Sequence, residues 1–114
     1  MTPENQVPLT PEIAPFSRHI FVCTGSKCAP EASPALYQYL KERIKALGLD
    51  IGPERVVRSQ CHCLGICEKG PLAVVYPDNV WYHHLTPEKI DRILREHLQD
   101  GRPVREYTFG SVSR

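Results

Sequence analysis

The chain has 114 residues, 41% apolar and 24% charged, the composition of one globular domain with a modest core. Fourteen basic against thirteen acidic side chains leave a net charge of +1, which gives no electrostatic case for nucleic acid or an anionic membrane. The longest apolar runs, IFVC and LAVVY, are far too short to span a bilayer, and MTPENQVPLTPEIAPF lacks the basic and apolar regions of a signal peptide, so the expected location is cytoplasmic.

Residues 1–16 carry four of the eleven prolines and no periodicity. Proline removes a donor and fixes φ, so residues 1–17 read as an extended, weakly ordered tail. RHIFVC, Arg18 to Cys23, is a short apolar run that stops at the turn chemistry of TGSKC, as a buried strand entering a loop does. SPALYQYLKERIKALG has helical spacing, with Leu36, Tyr37, Leu40, Ile44 and Leu47 on one face. Ser33 is the expected cap, Pro34 suits the first turn, and Gly48 suits the position just past the end.

ERVVRS is a second strand, and a cysteine-rich loop follows it. PLAVVYPDNVWYHH reads as a hairpin turning at PDN. TPEKIDRILREHLQDG is a second helix, capped by Thr86, with Pro87 in its first position, Gly101 at its end, and Ile90, Ile93, Leu94, His97 and Leu98 as its buried stripe. His97 is expected at the edge of the core, not as a metal ligand. In the closing segment Val104 and Tyr107 are expected to pack, with residues 108–114 a second tail. A domain over residues 18–107 follows, ordered β-α-β-β-β-α. The βα unit and the strand after it require a right-handed crossover and parallel pairing. The expected fold is α/β, a small mixed sheet with helices packed on it, of thioredoxin type.

The five cysteines are Cys23, Cys28, Cys61, Cys63 and Cys67, and the last three fall within SQCHCLGICEKGP. In a reducing compartment such clustering points to metal or redox chemistry, not disulfides. If the first two strands are parallel neighbours, both cysteine groups meet at one sheet edge, and four thiolates can converge there. Four thiolates suit zinc or an iron–sulfur cluster. Structural zinc usually takes C-x2-C pairs, whereas the spacings here are C-x4-C and C-x3-C, which favour a [2Fe–2S] rhomb. Gly25 and Gly65 lie inside those spacings, where a missing Cβ lets backbone N–H groups turn toward sulfur. Thiol–disulfide exchange is a third reading, but no C-x-x-C follows the first strand.

CLGIC followed by GPLAVVYPDNVWYHHLTPEKIDRILREHLQDGRPV, with the opening RHIFVCTGSKC, resembles the thioredoxin-like [2Fe–2S] ferredoxins. It is similar, more distantly, to the small iron–sulfur subunit of respiratory complex I. The resemblance covers roughly residues 18 to 107. It implies a [2Fe–2S] cluster on Cys23 and Cys28 from the first loop and on Cys63 and Cys67 from the second. Cys61 falls outside that pattern and is the alternative to Cys63. Stand-alone members have a longer first loop, so the C-x4-C spacing is closer to the complex I subunit.

The resemblance implies a one-electron carrier, not an enzyme acting on a substrate, with redox proteins as partners. The short segment before the first strand, too short for a helical bundle, favours a free carrier over a fixed subunit. Homodimers are expected by the same resemblance, with Trp81 and Tyr82 of VWYHH as candidate interface anchors. The competing functions are a binding module stabilised by zinc on four cysteines and a cluster-bearing sensor or subunit of a larger redox complex. His62 is expected to face solvent. His83 and His84, as neighbours on a strand, are expected to point to opposite faces and so not to share a metal. Lys27 and Lys69 could flank the cluster, with Glu31 and Glu68 equally near.

Overall fold

The computed structural model describes residues 14–24, 32–62 and 70–109. Its elements follow the expected order: β1 (Arg18–Cys23), α1 (Ala32–Ala46), β2 (Val56–Cys61), β3 (Ala73–Tyr76), β4 (Val80–Tyr82) and α2 (Pro87–Ile93). α2 runs on into a π-helical turn over Leu94–Gln99, and a short 3-10 turn spans Arg105–Tyr107. The sheet order is β2-β1-β3-β4, with β1 and β2 parallel and the other pairs antiparallel.

Strand periodicity divides the sheet into two unlike faces. Ile20, Val22, Val56, Ala73, Val75, Val80 and Tyr82 point to the side covered by the helices, where they meet Leu36, Leu40, Ile44, Ile90, Ile93, Leu94 and Leu98. Full burial of each such aliphatic side chain stabilises the fold by about 1.5–3 kcal/mol. On the other face β1 presents His19, Phe21 and Cys23.

Helix α1 shows how local chemistry sets its bounds. It begins at Ala32, two residues before the expected first helical position at Pro34, so Ser33 is not its cap but a fully buried residue of the first turn. At the other end Gly48 takes φ +69°, a left-handed conformation that glycine adopts without strain. The Gly48 N–H donates to Lys45 O at 3.1 Å and the Leu49 N–H to Ile44 O at 3.0 Å, the paired bonds of a Schellman ending. This reversal swings Leu47 off the apolar face, where it was expected, and leaves it 37% exposed. Leu49, past the turn, packs on the core instead.

Helix α2 starts as its sequence dictates: the Thr86 side chain accepts from Lys89 N, and Pro87 sits at the first helical position. All five residues of its expected stripe are buried. Asp91 ties the helices together, accepting from Tyr39 Oη at 2.8 Å and from Arg43 Nε at 2.9 Å.

After α2 the chain returns to the sheet. Val104 is buried and Tyr107 half-buried. Thr108 bridges to Tyr82, and the Phe109 N–H donates to Trp81 O at 3.1 Å. At the opposite end Ser17 N donates to Arg55 O at 2.8 Å, which lays residue 17 beside the entry to β2.

Candidate metal centre

Parallel pairing forces the ends of β1 and β2 to the same edge of the sheet. The register runs from Arg18 opposite Val56 to Cys23 opposite Cys61. Both strands therefore end on a cysteine, and the segments carrying the remaining cysteines leave from adjacent points. Cys28, Cys63 and Cys67 lie outside the described residues, as do Gly25, Gly65, Lys27, Lys69, Glu31 and Glu68. Among the described residues no group of three or more His, Cys, Asp or Glu side chains is gathered.

Cys23 is 1% exposed and forms a small apolar cluster with Leu72, against which Cys61 and Phe109 pack. Its Sγ donates to the His62 carbonyl at 3.8 Å, while Cys61 Sγ donates to the Val22 carbonyl at 3.5 Å. Each thiol thus reaches across the ladder to backbone beside the other cysteine. The backbone repeats the pattern, with Thr24 N–H donating to Cys61 O at 2.8 Å and Cys23 N–H to Leu72 O at 3.0 Å. Among the described residues, Cys61, set aside as the odd cysteine, is the cysteine that the tertiary structure holds against Cys23. Nothing in the spacing of CHC signalled this, because register is a property of two strands.

The chemistry of this edge fits a soft metal group. It offers a sulfur donor in a water-poor apolar setting, with further thiols on the chain leaving both strands. His62 is exposed, as anticipated. His83 and His84, however, are not on opposite faces: β4 ends at Tyr82, His84 takes φ +50°, and the two rings stack at 4.6 Å. Strand alternation fails there because the strand has already ended.

His97 is not at the edge of the core but fully buried. Its Nδ1 lies 2.8 Å from Tyr82 Oη and its Nε2 2.5 Å from Asp78 Oδ2. Tyr82 is likewise fully buried on the helix side, which removes it as an interface anchor. Trp81, the preceding residue of β4, has the opposite orientation and is half-buried against Phe109.

The sheet face away from the helices is aromatic along β1. His19 stacks on Phe21 at 4.0 Å and bonds Ser59 Oγ at 2.8 Å, and burial holds its pKa below the ordinary imidazole value. A groove of about 540 Å³ runs between Phe16, Ser17, His19, Phe21, Tyr76 and Pro77. No helix among the described residues is long and apolar enough to cross a membrane.

Known proteins share this arrangement. The family model for thioredoxin-like [2Fe–2S] ferredoxins matches residues 12–98. A 2Fe–2S ferredoxin of Aquifex aeolicus is 34% identical over 98 residues, covering 76% of this chain and 84% of its own. The solved structure of the thioredoxin-like [2Fe–2S] ferredoxin from that organism superposes with a TM-score of 0.74 at 32% identity, covering 83% of this chain and 98% of its own. A subunit of the NADH-quinone oxidoreductase of Rickettsia bellii is 33% identical over 82 residues, which is 67% of this chain but 45% of that subunit. By fold, by the parallel strands that end on cysteine, and by these matches, the chain belongs to the thioredoxin-like [2Fe–2S] ferredoxin family.

Proposed function

We propose that the protein is a one-electron carrier that holds its [2Fe–2S] cluster on Cys23, Cys28, Cys63 and Cys67. The cluster supplies a site that accepts and returns single electrons. The observation that carries this reading is the parallel β1–β2 pairing, which sends both cysteine-bearing segments out from one edge beside the buried Cys23. C-x4-C after β1 and C-x3-C after β2 supply two sulfurs from each side, the number such a cluster takes. Leu72 and Phe109 limit water at Cys23, which favours a stable metal–thiolate site.

Its partners are redox proteins, and its work is transfer between them, not conversion of a substrate. A reducing cytoplasm, which keeps five cysteines as thiols, suits it. The carrier assembles as a homodimer through the uncovered sheet face, where Phe16 and Tyr76 are 40% and 41% exposed beside Phe21, and where a twofold pairing would cover the same apolar patch on both copies.

An ultraviolet–visible spectrum of freshly purified protein tests the central claim. The expected sample is red-brown, with charge-transfer bands that dithionite bleaches and two irons per chain. A colourless sample with one zinc per chain would overturn it in favour of a zinc-stabilised module. Turnover with a candidate reductase then separates a carrier from a sensor or fixed subunit.

A further inference from the structure

Cys61 has no place in the four-cysteine ligand set, yet the fold sets it directly against one of those ligands. Cys23 and Cys61 are register partners at the last position of the parallel ladder. Partners on neighbouring strands stand about 4.8 Å apart at Cα. A disulfide needs roughly 4.4–6.8 Å. Both side chains lie on the sheet face away from the helices and pack in one cluster. Each thiol already donates to a carbonyl adjoining the other cysteine, Cys23 Sγ to His62 O and Cys61 Sγ to Val22 O.

We infer that Cys23 and Cys61 form a reversible disulfide when the protein is without its cluster. The two thiols differ in access. Cys61 is half-buried and Cys23 is 1% exposed, so Cys61 meets an oxidant first. With a low-molecular-weight disulfide of the glutathione class as oxidant, the Cys61 thiolate attacks one sulfur of the oxidant. That breaks its S–S bond, releases one thiol and leaves a mixed disulfide on Cys61. The Cys23 thiolate then attacks Cys61 Sγ, forms the protein disulfide and expels the second thiol. Two protein thiols are oxidised, one small disulfide is reduced to two thiols, and the protons pass from the protein to the released thiols.

A disulfide bridging paired strands is constrained by the ladder, which makes it readily reduced again. The device would mask a buried ligand thiol from irreversible oxidation and hold the site closed to iron until a reductant returns. Only its timing rests on the proposed ligand set, since Cys23 bound to iron is unavailable for exchange.

Full-length protein stripped of iron under anaerobic reducing conditions is exposed to oxidised glutathione. Remaining thiols are then alkylated, and the digest is mapped by mass spectrometry. The expected major cross-link joins Cys23 to Cys61 and disappears with dithiothreitol. Cys61→Ser, with an unchanged circular dichroism spectrum, loses it. Cys61 joined chiefly to another cysteine, or left as a stable glutathione adduct, would overturn the inference. The same treatment of cluster-loaded protein speaks to the ligand set alone: full cross-linking with the visible absorption intact means that Cys23 is not a ligand, while the pair stands.

Discussion

Tyr82 Oη lies 2.8 Å from His97 Nδ1, with both residues fully buried. The same hydroxyl accepts from Val104 N–H at 3.0 Å, so its own proton is directed to Nδ1. That leaves the proton of a neutral imidazole on Nε2, donated to Asp78, which in turn accepts from Arg18 Nε at 2.9 Å. One chain of hydrogen bonds, buried at Tyr82 and His97 and reaching the surface at Asp78 and Arg18, thereby joins β1, the β3–β4 turn, β4, the π-helical turn and the C-terminal segment. Every polar atom in it is satisfied only if His97 is neutral.

The pH dependence of stability follows with a definite sign. Burial is the larger influence on His97 and holds its pKa below the ordinary 6.5, against the opposing pull of Asp78. The unfolded chain binds that proton near 6.5 and the folded chain does not. Stability is therefore full above 6.5 and falls as the pH drops from there toward the folded value. Burial alone would raise the pKa of Asp78, but its bonds to Arg18 and His97 outweigh this and hold it below 3.8. Its contribution is present above 3.8 and is lost as the pH falls through the folded value. Urea midpoints should decline from about pH 6.5 downward, and His97→Gln should make that first decline shallower, leaving the part due to His19, whose pKa burial also holds below 6.5. A wild-type midpoint that does not change between about pH 7 and pH 5 would refute the account.

Deleting either neighbour of His97 leaves buried polar atoms without partners. Tyr82→Phe strands both the Val104 N–H and His97 Nδ1, and Asp78→Ala strands Nε2–H. Each should cost about 1–3 kcal/mol. For a domain near this size every kcal/mol lowers Tm by about 4–8 °C. Thermal melts of the two variants check this, and a change within error would remove the network as a stabilising element.

The ligand assignment separates neighbouring cysteines. Cys61→Ser should retain the visible spectrum, whereas Cys63→Ser, Cys67→Ser, Cys23→Ser and Cys28→Ser should each abolish or shift it. Loss with Cys61→Ser and retention with Cys63→Ser would move the ligand register by two residues.

The Thr86 cap offers a test remote from the metal centre. Its Oγ1 accepts from Lys89 N at 3.3 Å, and Thr86→Ala should destabilise by about 1 kcal/mol. The visible spectrum should not change. Urea melts followed by circular dichroism measure the first effect.

Self-association is expected to depend on the uncovered face. Phe21→Glu places a charge in the groove beside Tyr76, whose ring meets that of Phe21 edge-on at 6.0 Å. Sedimentation velocity should show the variant as a monomer and the wild type as a dimer at the same concentration. A variant that remains dimeric would place the interface elsewhere.

Much of the fold was legible in the chain because its signals are local. The first strand run, the PDN turn, Thr86–Pro87 at a helix start and Gly48 and Gly101 at helix ends are short-range preferences of backbone and side chain, and each appears where it was expected, whereas β2 lies two residues later than ERVVRS and takes in Cys61, which was expected in the loop. Most of the departures share a different cause. Expectations for Leu47, Tyr82, His97 and the His83–His84 pair rest on runs and periodicity, which do not say where an element stops or which face is covered; the Ser33 cap is a local signal that failed because α1 starts before it. Tyr82 and Trp81 look equally suited to an interface in VWYHH. Only the packing of α1 and α2 on one side of the sheet buries the first and half-exposes the second.

The cysteines divide in the same way. Their types and spacings by themselves pointed to a four-thiolate metal group and favoured a [2Fe–2S] cluster over zinc. The relation of Cys23 to Cys61, thirty-eight positions apart, was decided only by the tertiary structure. Strand register depends on which faces two strands bury together, and that is settled by the helices above the sheet, not by either strand alone.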